Sequence, residues 1–138
     1  MNQLTPGVSA TVTWQVSEAM TASQVGSGLV RVFSTPMLVA LMESAAVEAI
    51  APYLEQEETS VGIRIDVQHL AATPVGLAVS SRATLTQVEG RKLTFEIEAW
   101  DDVEPIGRAV HERFIVNRAR FEARANGKAA AKNPDTRE

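Results

Sequence analysis

The stretch from Thr35 to Pro52, TPMLVALMESAAVEAIAP, constrains this chain more than any other feature. Thr35 is a good N-cap and Pro36 a good first helical residue, because proline's missing N–H is no loss there. Apolar residues then fall on nearly every helical face, which is the pattern of a buried helix. Pro52 ends it or sits in its last turn. With Glu43, Ser44, Glu48 and two prolines inside, the stretch is a poor membrane span. A helix apolar all round must be covered from several sides, so the remaining elements have to wrap it.

Those elements read as strands. Residues 8–17 (VSATVTWQVS) alternate apolar and polar with β-branched enrichment. Residues 18–34 carry Gly26 and Gly28 and a mixed pattern, and read as a loop or short lid; residues 55–60 read as a polar loop. In 61–70, Val61, Ile63, Ile65, Val67 and His69 share one face, and Arg64, Asp66 and Gln68 the other. Residues 77–88, 91–100 and 106–118 complete the set, with Thr73, Pro74 and Gly76 marking one turn and Glu89-Gly90 a hairpin tip. Leu93, Phe95, Ile97 and Ala99 are expected to face inward. The order is strand, buried helix, four strands. This gives an α+β domain over residues 1–118, an antiparallel five-stranded sheet around one long buried helix. Residues 119–138 form a polar, partly flexible C-terminal extension, with a short helix or a tail at 119–124.

The 138 residues suffice for one domain with its own core. There is no cysteine, which removes disulfides, thiolate metal sites and cysteine nucleophiles. A net charge of −4 argues against nucleic acid as a partner. The N-terminal segment lacks the basic and apolar regions of a signal peptide. The expectation is a cytoplasmic protein with no membrane partner.

Three residues break the pattern. Glu43 lies among apolar helical positions, where a carboxylate is costly unless paired; it either reaches solvent at a seam or serves as an acid or base. His69 points by parity toward the helix at the mouth of the sheet. A lone histidine there is more often a satisfied core residue, but a glutamate on the facing helix makes acid–base work a real alternative. Thr35 caps the helix, whose free N–H groups also suit a developing oxyanion. Thr35 and Glu43 stand about 12 Å apart along a helix, too far for one group to touch both. His111 reads as exposed or at an interface, and His111-Glu112-Arg113 is no metal motif, because adjacent strand residues face opposite ways. Ser34 and Ser44 have no triad context. Arg82, Arg91 and Lys92 read as solvated.

The segments VFSTPMLVALMESAAVEAIAPYLE (32–55), VGIRIDVQHLAATPVGL (61–77), VEGRKLTFEIEAWD (88–101) and IGRAVHERFIV (106–116) together resemble the fluoroacetyl-CoA thioesterase family, a branch of the hot-dog thioesterases. The HLAATPVGL stretch and the LMES…APYLE helix are the most specific. The resemblance implies a hot-dog fold and a hydrolase acting on acyl-CoA. It implies a catalytic Thr35, Glu43 and His69, and substrate contacts from Gly62 and Arg113. It also implies a homodimer with the active site at the subunit interface, and no cofactor beyond the coenzyme A of the substrate. The chain departs before the helix. The segment TASQVGSGLVRVF is shorter than the family's lid, and Leu29 stands where a gating aromatic would be. The expected substrate is therefore a short-chain or otherwise modified acyl-CoA. Glu43 would attack directly or activate water, with His69 moving the proton. Rival readings are an enoyl-CoA hydratase or dehydratase of the same fold, a non-catalytic acyl-CoA binder, and a scaffold in which Glu43 and His69 pair structurally.

Overall fold

The computed structural model describes residues 3–132. Five antiparallel strands form one sheet: β1 (Ser9–Gln15), β2 (Glu58–His69), β3 (Ala78–Glu89), β4 (Lys92–Asp101) and β5 (Pro105–Asn117). Their order across the sheet is β1-β3-β4-β5-β2, so β1 and β2 are the edges. Two short helical turns, Glu18–Met20 and α1 (Ala22–Val25), precede the long helix α2 (Thr35–Ile50), and α3 (Arg118–Ala131) follows β5. The expected α+β hot-dog layout is what is seen. The C-terminal extension, expected as a short helix or a tail at 119–124, is helical over Arg118–Ala131, and its residues 133–138 lie outside the described residues.

The core forms where α2 lies on the sheet. Leu38, Leu41, Met42, Ala45, Ala46, Ala49 and Ile50 of the helix are buried, and they meet Leu93, Phe95, Ile97 and Ala99, which face inward as their alternation requires. Gly107 lets the helix come close. A Cβ there would stand 2.9 Å from Leu38 Cδ2 and 3.1 Å from the Gln68 carbonyl oxygen. By length and composition Thr35–Tyr53 could cross a membrane, yet in the fold its apolar face packs on the sheet.

The helix is not covered all round, although its apolar composition calls for that. Val47 and Glu48 are exposed and Glu43 is half-buried, so one side of α2 faces outward beside β2. Strand parity also fails in β2. The strand starts at Glu58, inside the stretch that reads as a polar loop. A β-bulge then falls between Gly62 and Arg64: Gly62 pairs with Arg113 and Arg64 with Glu112, leaving Ile63 as the extra residue. An inserted residue shifts the alternation by one. Ile65, Val67 and His69 keep the inward face, but Ile63 turns out to 51% exposure, and Val61 pairs with the outward Phe114. Gly62, not Val61, takes the inward position.

Candidate active site

The first turn of α2 is capped by Ser34, not by Thr35. Ser34 is buried, and its Oγ accepts the Met37 N–H at 3.3 Å. Thr35 is therefore the first helical residue and Pro36 the second. This shift by one residue releases the Thr35 side chain, whose Oγ1 lies 2.8 Å from His69 Nδ1 at the end of β2. It also selects a backbone donor. Pro36 has no N–H and Met37 gives its own to Ser34, so the Thr35 N–H is the donor of the first turn without a helical partner.

His69 Nε2 is buried and has no hydrogen-bond partner among the described residues. Such a nitrogen keeps capacity for a further hydrogen bond, to water or to a ligand. Burial pushes the His69 pKa below the ordinary imidazole value, with the Ala71 backbone acting the other way. The ring is thus held neutral, which keeps a lone pair available as a base.

Thr35 and His69 line an open cavity of about 420 Å³. Its far wall is the segment that reads as a lid, contributing Ser27, Gly28 and Val30. The base of that segment is anchored: Phe33 N–H donates to the Thr73 carbonyl at 2.8 Å, and Ser34 N–H to the Met20 carbonyl at 3.0 Å. Phe33 itself is fully buried. Leu29 is 97% exposed and is not among the residues lining the cavity.

Glu43 belongs to a different group. Its side chain is 40% exposed, and it is not an unpaired carboxylate. Arg113 Nη1 donates to Glu43 Oε2 at 2.9 Å. The guanidinium is buried and fixed on its other edge, with Nε donating to Ser60 Oγ at 2.8 Å and Nη2 to the Ser60 carbonyl at 3.1 Å. His111 stands behind it, its Nε2 3.2 Å from Arg113 Nη1 and 3.8 Å from Glu43 Oε2. His111 is 1% exposed, which overturns its reading as an exposed or interfacial residue. Gly62 closes the group. A Cβ at that position would collide with Glu43 Oε2 and lie 3.3 Å from Arg113 Nη1.

Within one chain the structure therefore joins Thr35 to His69, and Glu43 to Arg113 and Gly62, as two clusters. Along the helix they are separated by about 12 Å. Together they supply an oxyanion donor, a neutral base and a held carboxylate, the parts that acyl transfer to water needs.

Comparison with known proteins decides the family. The family model described as fluoroacetyl-CoA-specific thioesterase matches residues 16–119. The fluoroacetyl-CoA thioesterase of Streptantibioticus cattleyicolor is 47% identical over 100 residues, covering 72% of each chain. The chain belongs to the fluoroacetyl-CoA-specific thioesterase family. It is a thioesterase, a hydrolase of acyl-CoA thioesters. Solved structures agree. A point mutant of the fluoroacetyl-CoA-specific thioesterase superposes with a TM-score of 0.88 at 37% identity, over 93% of this chain and 99% of that one. A thioesterase superfamily member from Thermus thermophilus superposes with a TM-score of 0.85 at 28% identity, over 96% and 100% of the two chains. A hot-dog-like protein from Thermanaerovibrio acidaminovorans gives a TM-score of 0.80 at 27% identity, over 89% and 91%.

Sequence reasoning missed Ser34, Ser60 and His111. The signal for His111 was present: Ala109, His111, Arg113 and Ile115 alternate along β5, and all four are buried. The cap was missed because Ser34 and Thr35 are both good capping residues, and only the backbone shows where helical geometry begins.

Proposed function

We propose that this thioesterase hydrolyses a short-chain or otherwise modified acyl-CoA in the cytoplasm, with Thr35, Glu43 and His69 as its catalytic residues. The observation that carries this reading is the Thr35–His69 pair at the open first turn of α2, lining the cavity beneath the lid. The thioester carbonyl takes its hydrogen bond from the Thr35 end of the helix. Glu43 attacks the carbonyl carbon or activates water, and His69 carries the proton to the departing thiolate. Gly62 contacts the acyl portion through its exposed backbone, and Arg113 stands behind the carboxylate that it holds. Leu29, exposed where an aromatic gate would sit, supports a substrate range not restricted to a fluorinated acyl group.

The working form in this reading is a homodimer with the active site at the interface. Three observations support it. β2 is a sheet edge with unpaired backbone groups. Ile63 and Val47 expose apolar surface along that edge. The two clusters also lie too far apart to act together within one chain. A twofold axis across this edge sets the Glu58 end of one β2 beside the His69 end of the other. The carboxylate cluster of one copy then approaches the hydroxyl–imidazole cluster of its partner, where the orphan Nε2 of His69 waits for a bond.

Thiol release from a panel of acyl-CoAs, with Glu43→Gln and His69→Ala beside the wild type, tests the catalytic assignment. Loss of turnover in both variants with the fold intact is expected; full activity in both would sink it. Refolding the two inactive variants together tests the interface. If each site draws on both chains, up to about a quarter of the sites regain a full set. No recovery in a mixed dimer, or a monomer in light scattering at working concentration, would overturn the shared site.

A further inference from the structure

The His111 ring has its protonation written into its neighbours. Nδ1 lies 2.7 Å from the Arg64 carbonyl oxygen, which only accepts, so Nδ1 carries the hydrogen. Nε2 faces Arg113 Nη1 at 3.2 Å, and a guanidinium only donates, so Nε2 presents its lone pair. This is a neutral imidazole in one defined tautomer, buried against Phe95 at a centroid distance of 6.1 Å. Burial pushes the ring's pKa down and Arg113 adds to that, while the Arg64 carbonyl, Glu43 and Glu112 act the other way.

The lone pair has a consequence for the carboxylate. Arg113 Nη1 is shared between His111 Nε2 and Glu43 Oε2, and Ser60 holds the other edge of the guanidinium. With both ends tied, the guanidinium plane cannot swing. Arg113 then engages Oε2 in one direction, and Oε1 has no hydrogen-bond partner among the described residues. We propose that His111 is a positioning residue for hydrolysis, and that its Nε2 lone pair orients Arg113 and, through it, the Glu43 carboxylate. The inference rests on the reading of Glu43 as a catalytic carboxylate.

Two substitutions separate this role from a structural one. In His111→Asn the amide nitrogen reaches the Nδ1 position and keeps the bond to the Arg64 carbonyl, but nothing accepts from Arg113. In His111→Gln the amide oxygen reaches the Nε2 position and keeps an acceptor for Arg113, while the Arg64 carbonyl loses its donor. Positioning predicts that kcat falls about tenfold or more in His111→Asn, with KM little changed, and that His111→Gln stays within about threefold of wild type. If His111 only staples β5 to β2, the order reverses, and that order overturns the proposal.

Glu43→Gln is assayed alongside. If it is inactive while His111→Asn turns over like wild type, Glu43 keeps its role and only the positioning role falls. If Glu43→Gln is fully active, the catalytic reading falls first. The ring of the folded wild type gives a check that needs no variant. Nitrogen-15 NMR should show His111 as a neutral Nδ1–H ring at neutral pH, and an Nε2–H or doubly protonated ring would refute the proposal even if both variants fail to fold.

Discussion

The first turn of α2 and its third turn meet the sheet in different ways. At the first turn, Thr35 is exposed, and its hydroxyl bonds to a histidine with one unsatisfied nitrogen beside an open cavity. At the third, Glu43 is held by a buried arginine whose other contacts run to Ser60 and His111. The first cluster has bonding capacity left over, and the second has spent most of its own. Free donors and lone pairs belong where a substrate changes during the reaction. A crowded, tied network belongs where a charged group must keep one orientation through it. The contrast also accounts for the glycine in β2. The carboxylate cluster has no room for a methyl group at position 62, whereas the hydroxyl–imidazole cluster opens onto a cavity.

Predictions that would break this contrast can be ranked by size. The largest concerns Gly62→Ala. The new methyl collides with the end of a flexible carboxylate and not with backbone, so the fold should survive while Glu43 is displaced. Turnover should fall by about a hundredfold with the melting temperature nearly unchanged. Wild-type turnover in this variant would show that the position of Glu43 does not matter.

Gly107→Ala should do the reverse. Its methyl meets Leu38, Met42 and a backbone carbonyl in the packed core, so overpacking should cost about 1–3 kcal/mol in urea unfolding. A neutral result would mean that the helix is free to lift off the sheet.

A smaller effect distinguishes the two adjacent hydroxyls. Ser34→Ala should lose roughly 1 kcal/mol, because it removes the cap. Thr35→Ala should leave stability almost untouched and lower kcat, with Thr35→Ser losing less. Were Thr35→Ala the more destabilising of the two, the capping assignment would be wrong.

The smallest expected effect is on pH dependence. Both His69 and His111 have pKa values pushed below the ordinary imidazole value by burial. As the pH drops through about 6.5, the unfolded chain takes up protons that the folded chain refuses. Stability from these two rings is therefore full above that value and declines below it, until the lowered folded-state values are reached. Thermal midpoints measured from pH 7.5 downward should show the decline, with a shallower slope in His111→Gln. A flat profile would show that neither ring is held neutral by burial.

Much of this was legible in the chain because it rests on local rules. Alternation fixes which residues of β4 face inward, and an apolar helix among strands can only be a core helix. The pairing of Thr35 with His69 was half legible. Parity placed His69 correctly, since Ile65, Val67 and His69 all lie after the bulge. The same parity misplaced Val61 and Ile63, which lie at or before it. A bulge is a choice made by two strands together, here β2 against β5, and neither strand records it alone. The environment of Glu43 was not legible for the same reason. Its partner lies 70 residues away, and the sheet must form before Arg113 can reach it.

The sequence by itself determined the fold class, the family and the identity of the chemical groups, because periodicity and residue type are properties of the chain. Only the tertiary structure decided which groups meet. It moved the cap from Thr35 to Ser34, turned His111 from the surface to the interior, and divided the expected catalytic set into two clusters. Hydrogen bonds are directional and short, so a shift of one residue in a cap or a strand changes the partner entirely, while the hydrophobic pattern that builds the fold barely registers it.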